Sequence, residues 1–585
     1  MSRWSTAAAA AVLALSGPAA GEGSGGLQVP VGHWGYELIA RLETTGALSG
    51  TGDGIKPLSR GAMARLAALA DSAAVAGGVT AIDRQRIRRL LVELGHGRPP
   101  GESAGLEAGW PARSTPPLRY STDRGEIFGD LLLRQQTDLL AGRGRDGTEG
   151  IYRNRVGGLV EGSLVDRIGF RIALEQTREQ GSRSYLLRDD LFEPRREAVQ
   201  LRDGFADYHE GAAYVAFSVG GFVEVQIGKD QAVWGPASLD NLGLGGNAPG
   251  FHMVRLRSTY GALHLVSLHG ALRPCPDRPD SPLCTGTRDE GESYVVNGMS
   301  RRLDRERWIA AHRLEAAVTP SLDIGFQEVV VYGDRGIQAA YLNPITPYWA
   351  AQSYLGDKDN VMMALDADWR VRPGVRIWGA YMIDDLRKLK ILSDHFTNKY
   401  SLQTGLAWAD PLGLSDLDLE AEYVRIEPWI YTHRFPVNTF RHFDSPLGHS
   451  LGPNSDRWRI RLDRRWSAGW STVAWVGRRR HGDNVLLADG DVRNVGGDMH
   501  YGWRPGDERE TKSFLDGRLG RWTTLGGSTR WRAGPRLHLL VGAELEWGED
   551  VPLPPRDGTA TALVNRRYGD GRQQRLFLDL RYGHL

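Results

Sequence analysis

Four residues in one short stretch could support hydrolytic chemistry. Asp384 and Asp385 form an acidic pair, and Asp394–His395 follow a few residues later. Paired carboxylates beside an Asp-His pair could polarise a water for attack on a carbonyl. Nothing around them completes a catalytic pattern. There is no G-x-S-x-G, no H-E-x-x-H and no glycine-rich phosphate loop. Acids and histidines in a polar loop more often face solvent. The chain is therefore read as a non-enzyme, with no catalytic residue, no cofactor and no metal site.

Other residues are better suited to binding. Segment 426–456 carries Trp429, Tyr431, Phe435, Phe440 and Phe443 among His433, Arg434, Asn438, Arg441 and His442. Segment 333–360 carries Tyr341, Tyr348, Trp349 and Tyr354 with Asn343 and Asp357. Flat aromatic faces stack on the C–H faces of pyranose rings, and Arg pairs with uronate carboxylates. Carbohydrate contact is therefore expected from Tyr341, Tyr348, Trp349, Tyr354, Trp429, Tyr431, Arg434 and Arg441. The plainer alternative is that these rings pack the loops against one another.

A third group is a charge ladder. In "RWRIRLDRRW", alternate residues read Arg457, Arg459, Arg461, Asp463, Arg465 on one face and Trp458, Ile460, Leu462, Arg464, Trp466 on the other. The preceding strand, "LSDLDLEAEYVRI", sets Asp416, Asp418, Glu420 and Glu422 against Leu417, Leu419, Ala421 and Tyr423. An acidic row beside a basic row should neutralise itself across the strands, and internal pairing is preferred to a conduit lined for an acidic polymer.

These groups need elements to hold them. From about residue 126 apolar and polar residues alternate, as in "RIGFRIALEQ", "FVEVQIGK" and "RLHLLVGAELEW". Tight turns near Asp166, Gly220, Tyr260, Thr319, Arg372, Pro411, Ser467 and Ala533 alternate with nine long loops. Seventeen connections imply about eighteen antiparallel strands, an even number, with both ends of the series on the short-turn side. A soluble propeller or sandwich also alternates, but it has no need for every second connection to be tight. An all-β transmembrane barrel over 126–585 is expected. Its apolar register should face lipid and its charged register the lumen.

Upstream, residues 27–95 read as three helices. Trp34, Leu38, Ile39 and Leu42 share a face that ends at Gly46, Ser59 and Thr80 are N-caps, and Gly95 is a stop. A Pro/Gly/Ser-rich linker over 96–125 follows. Residues 1–20 read as a signal peptide, with Arg3 before the apolar run Ala7–Leu15 and small residues after it. Export makes a disulfide between Cys275 and Cys284 the natural expectation. The net charge of +1 argues against nucleic acid as a partner.

With these residues placed, "IGKDQAVWGPASLDNLGLGGNAPGF" resembles the signature of the capsule-assembly Wzi family in Gly228, Lys229, Trp234–Gly235–Pro236 and Asn247–Ala248–Pro249. Asn343–Pro344, Asp359–Asn360 and Asp384–Asp385 resemble it further along. The resemblance implies an outer-membrane barrel of eighteen strands, a periplasmic helical unit, a largely occluded lumen and an extracellular lectin surface that retains capsular polysaccharide. It also implies that the motif Gly and Pro residues shape backbone. "GHWGYELIARLETTG" followed by "LSRGAM" resembles a single surface-layer-homology motif, which raises peptidoglycan as a partner of the N-terminal unit; a plug or scaffold role is preferred. The paired acids resemble those of omptin proteases, without the rest of that pattern. The reading is an outer-membrane, lipid-embedded protein that binds capsular or exopolysaccharide. The alternatives are a channel or porin and, last, a surface protease.

Overall fold

In the computed structural model the described residues are 26–75, 79–94, 105–108, 117–122, 124–165, 167–183, 197–202, 204–220, 222–237, 240–274, 290–385, 393–443, 445–507, 511–533, 536–554 and 566–583. The expected signal peptide and the Cys275–Cys284 bridge lie outside them, as does most of the expected linker.

Three helices come first: α1 (Trp34–Thr45), α2 (Arg60–Val75) and α3 (Ala81–Leu94). Their caps follow from local chemistry. The His33 ring accepts the Gly35 N–H at 3.0 Å, Ser59 Oγ accepts the Ala62 N–H at 3.3 Å, and Thr80 Oγ1 accepts the Asp83 N–H at 3.1 Å. Gly46 ends α1 at φ +85°, a left-handed conformation that glycine adopts without a Cβ clash. Leu38, Ile39, Leu42, Met63, Ile87 and Leu90 are fully buried between the helices.

Eighteen antiparallel strands then close a barrel. In order they are β1 (Gly125–Gly142), β2 (Glu149–Leu164), β3 (Ile168–Gly181), β4 (Phe205–Val219), β5 (Val223–Asp230) and β6 (Phe251–Tyr260). Next come β7 (Leu263–Leu272), β8 (Arg307–Thr319), β9 (Leu322–Gly333), β10 (Asn360–Arg372), β11 (Val375–Asp385) and β12 (Lys399–Ala409). The last are β13 (Leu417–Ile426), β14 (Ser455–Ser467), β15 (Trp470–Asp483), β16 (Arg518–Arg532), β17 (Leu537–Pro552) and β18 (Tyr568–Tyr582). Closure is by β18 on β1, from Gln573↔Gly142 to Tyr582↔Leu133. The lower part of β1 also pairs with Leu118–Thr122, which in turn pairs with Gly105–Ala108, so the span expected to be linker extends the sheet.

Every expected tight turn falls between two of these strands, and the strand ends that flank each expected long loop lie at the opposite end. The outward register is apolar and uncovered. Trp458, Ile460 and Leu462 on β14 are each 40% exposed, as are Leu578 and Leu580 on β18 at 38% and 40%. An apolar belt of this kind would be ruinous in water and is the surface required in hydrocarbon. Trp369, Trp466, Trp470 and Trp531 stand on it near the tight-turn end, where indoles settle at the lipid interface. In outer-membrane barrels that end is periplasmic.

The helices sit across the periplasmic end. The Thr44 carbonyl accepts the Gly374 N–H in the β10–β11 turn at 2.7 Å. Arg41 is buried and holds Asp83 at 2.8 Å, Asp410 at 2.9 Å and also Asp418. Arg530 on β16 meets Glu37 of α1 at 3.3 Å. One side of the lumen is filled from the other end. Trp234, Leu242, Leu244, Tyr431, Phe440 and Leu447, all from loops, pack on Met253, Leu268, Ile309, Val329 and Met382 of the inner wall. Strand pair Ile55–Lys56 and Val233–Trp234 joins the N-terminal segment to the descending β5–β6 loop inside the barrel.

Candidate extracellular binding surface

The loops that descend into the barrel are locked by the motif residues. Gly228 lies at φ +138°, and a Cβ there would stand 2.2 Å from the Ala213 carbonyl oxygen, so β5 can approach β4 only with glycine. Trp234 is fully buried. Gly235, at φ +136°, donates its N–H to the Gly54 carbonyl at 2.9 Å, and the Pro236 carbonyl accepts from Arg376 at 2.7 Å. The Asn247 amide donates to Asp240 at 2.8 Å and to the Gly448 carbonyl at 2.7 Å, and Pro249 is buried beside it. Asn360 donates to the Asn438 carbonyl at 3.0 Å, which ties the β9–β10 loop to the β13–β14 loop. Asp359 accepts the Tyr341 hydroxyl at 2.6 Å. Asn343 is exposed and accepts the Ile345 N–H at 3.2 Å in a turn that continues through Pro344.

The eight expected sugar-contacting residues divide sharply. Tyr341 and Tyr348 are buried and meet edge to face at 5.5 Å; the His312 ring lies 4.3 Å from Tyr348. Tyr431 is buried, stacks on Phe440 at 5.5 Å and donates its hydroxyl to the Leu242 carbonyl at 2.7 Å. Burial pushes the Tyr341 and Tyr431 hydroxyls above their usual range, so both remain donors. Trp429 is buried against Phe396 at 5.4 Å, and Arg441 is buried with Nη1 donating to the Phe443 carbonyl at 3.0 Å. These five hold the cap together from within.

The other three face outward. Trp349 is 56% exposed and Tyr354 86% exposed on α4 (Tyr348–Tyr354), and Arg434 is exposed on the β13–β14 loop. Two further residues complete the surface. Phe435 is 42% exposed, and Trp503 arrives from the β15–β16 loop, so that the Arg434 guanidinium lies 4.8 Å from the Phe435 ring and 5.8 Å from that of Trp503. Arg504 follows, held by Asp491 at 3.1 Å and Asp507 at 3.2 Å. Arg434, Phe435 and Trp503 together make a small flat-faced ledge, and Trp349 and Tyr354 stand exposed on the β9–β10 loop. Trp503 is absent from the expected set, although His500, Tyr501 and Trp503 stand close together in its segment. The signal that was available is the adjacent Arg504 in a loop of matching length.

The possible hydrolytic group does not assemble. The Asp384 carboxylate accepts the Tyr431 N–H at 2.9 Å, Asp385 faces Lys399 at 3.6 Å, and the His395 ring is held by Thr397 at 2.9 Å. These contacts engage Asp384, Asp385 and His395 in loop structure.

The charge ladder lies inside the barrel. Arg457 meets Glu422 at 3.1 Å, Arg459 meets Glu420 at 3.8 Å, Arg461 meets Asp463 at 3.0 Å and Arg465 meets Asp418 at 2.7 Å. Asp416 stands below the strand instead. It has φ +62° in the β12–β13 turn and accepts the Thr80 hydroxyl of the helical unit at 2.5 Å. The turn geometry takes it out of the strand's alternation.

Comparison with known proteins agrees with this architecture. The Escherichia coli protein Wzi, an outer-membrane carbohydrate-binding β-barrel involved in group 1 capsule assembly, aligns at TM-score 0.53 and 10% identity over 94% of this chain and 99% of that one. Acinetobacter baumannii OccAB4 aligns at TM-score 0.40 and 10% identity over 79% of this chain and 99% of its own. Pseudomonas aeruginosa OprD aligns at 0.38 and 12% over 78% and 94%. No curated protein sequence matches. The family model described as capsule assembly protein Wzi matches residues 160–471, more than half of the chain. With its eighteen-stranded lipid-facing barrel, the chain belongs to the Wzi family of outer-membrane capsule assembly proteins.

Proposed function

We propose that the protein holds capsular or exopolysaccharide on the cell surface, at the ledge of Arg434, Phe435 and Trp503 and on the exposed rings Trp349 and Tyr354 of the β9–β10 loop. The observation that carries this reading is the division among the loop aromatics. Five of the expected eight contact residues are consumed in sealing the cap, while Trp349 and Tyr354 stay uncovered on the β9–β10 loop and Phe435 and Trp503 flank Arg434. An exposed ring is costly to leave in water unless something covers it, and a sugar C–H face covers it while its carboxylates pair with Arg. The E. coli Wzi barrel, which binds carbohydrate, supports the same reading.

The helical unit acts as a periplasmic plug. Its contacts with the barrel, through Arg41, Thr44 and Thr80, engage the surface that a separate tether would leave free. In a strain that makes an acidic surface polysaccharide, deleting the protein should shift polymer from the cell pellet to the medium. Wild-type protein should restore retention, and a Tyr354→Ala/Phe435→Ala variant, equally abundant in the membrane, should not. Full restoration by that variant would remove the ledge from the account.

A further inference from the structure

At the periplasmic end, α1 and α3 leave a cavity of about 120 Å³ against β14–β16, walled by Trp34, Arg86, Asp463, Arg465, Arg530 and Arg532. Three guanidinium groups crowd the Trp34 indole: Arg532 at 4.8 Å, with Arg86 and Arg89 each at 5.8 Å from the ring. Elsewhere on the inner wall arginines are closely matched with acids. Arg153 meets Asp138 at 2.7 Å and Glu179 at 2.8 Å, and Arg313 meets Asp366 at 2.5 Å and Glu315 at 2.8 Å.

Here each acid of the lining already holds an arginine, Asp418 at 2.7 Å from Arg465 and Glu420 at 3.8 Å from Arg459, although Asp463 Oδ1 and the nearby Asp83 Oδ1 stay buried without a hydrogen-bond partner. Glu37 is bound to Arg530 at 3.3 Å, and Asp463 to Arg461 at 3.0 Å. Glu93 meets the His33 ring and the Trp34 indole N–H, both at 3.1 Å. Asp83 takes Arg41 at 2.8 Å and makes only a long ion pair with Arg86, at 3.9 Å. Among the described residues neither Arg89 nor Arg532 has a carboxylate at ion-pair distance. Arg465 is 6% exposed and uses Nη1 on Asp418, while its Nε and Nη2 are buried and unpartnered. Burial, and after it the charge of Arg465, draw Arg86 below the usual guanidinium range. Cations held together out of water repel unless an anion joins them.

We propose that this cavity is a second binding site, open to the periplasm, for a small oxyanion: the carboxylate of an acidic sugar or a phosphate group. Planar guanidinium forks match both in bidentate geometry, which a lysine cluster would not. The site is separate from the outer ledge and stands whether or not that ledge binds polysaccharide.

The test is calorimetry on the full chain in detergent at low ionic strength, with sodium glucuronate and inorganic phosphate as probes. At least one probe should bind. Arg86→Gln and Arg532→Gln should each weaken it by about tenfold or more, and Arg305→Gln, a half-buried arginine paired with Asp334, should not. Binding of glucuronate alone identifies a sugar acid as the ligand class, and binding of phosphate alone a phosphate. Without ligand, Arg532→Gln should also unfold at a higher temperature than wild type, because one repelling charge has gone. If neither probe binds, or if binding survives both arginine changes, the proposal is overturned.

Discussion

Arg457 on β14 reaches diagonally to Glu422 on β13, at 3.1 Å, and leaves Val424, the residue directly opposite it, in the apolar fill. Arg459 also steps one pair toward the turn, to Glu420 at 3.8 Å, although Glu422 stands opposite it. The diagonal lets the wall neutralise itself while its upper part packs against the descending loops. Glu422 also accepts the Gln403 amide at 3.0 Å, so Glu422→Gln should leave Arg457 short of a partner in a low-dielectric wall. A loss of about 1–3 kcal/mol is expected, read as a lower urea midpoint of the folded barrel in detergent. An unchanged midpoint would mean that the pair contributes nothing.

The two registers of β14 should respond oppositely to charge. Leu462 faces outward and is exposed to hydrocarbon. Leu462→Arg should cost about 2–4 kcal/mol if the residue is near mid-membrane. Glu420→Gln, on the inner face next door, should cost less than half as much. Unfolding in lipid vesicles measures both, and equal costs would deny the assigned facing.

Conductance tests the fill. Trp234 is fully buried between the strand pair in the lumen and the inner wall. Wild-type protein should be silent in planar bilayers. Trp234→Ala should destabilise the cap by about 3–5 kcal/mol and admit flickering current. Steady large openings in the wild type would favour a porin instead.

The barrel could be read from the sequence because lipid enforces strict alternation along each strand. The β14 run Trp458, Ile460, Leu462 against Arg457, Arg459, Arg461 therefore states its own facing. The tight turns were equally plain, since each is a break between two alternating runs. The ledge was not. Tyr341 and Tyr354 lie in the same loop with the same ring chemistry, yet one is 1% exposed and the other 86%. What separates them is Asp359 beneath Tyr341 and the docking of one loop on the next, which depends on residues distant in the chain. Trp503 joins Arg434 across two loops for the same reason. Asp416 followed the strand's spacing on paper, but the turn around it does not continue that spacing.

Acid should loosen the cap. His442, in the β13–β14 loop, is buried, and its Nδ1 accepts the Arg273 N–H at 2.9 Å. Burial, and after it the charge of Arg307, push it down to about 3. An unfolded imidazole titrates near roughly 6.5, so between those values the open loop binds a proton that the closed loop refuses. Its contribution to stability is thus complete above about 6.5, falls as pH drops, and levels off below about 3. At pH 4.5 opening should be favoured by up to roughly a hundredfold relative to pH 7. Hydrogen exchange at Arg273 and Phe443, corrected for intrinsic rates, reads this directly. His442→Gln should flatten the dependence, and an unaltered slope would exclude this histidine as its source.

The most direct measurement of the central claim is the affinity of the purified chain for an acidic capsular or exopolysaccharide, compared among three proteins of equal fold. Wild type should bind, Tyr354→Ala/Phe435→Ala should lose at least tenfold, and Tyr341→Phe, altered only beneath the cap, should bind like wild type. If the outer pair leaves affinity untouched while the buried change abolishes it, the exposed ledge is not where the polymer is held.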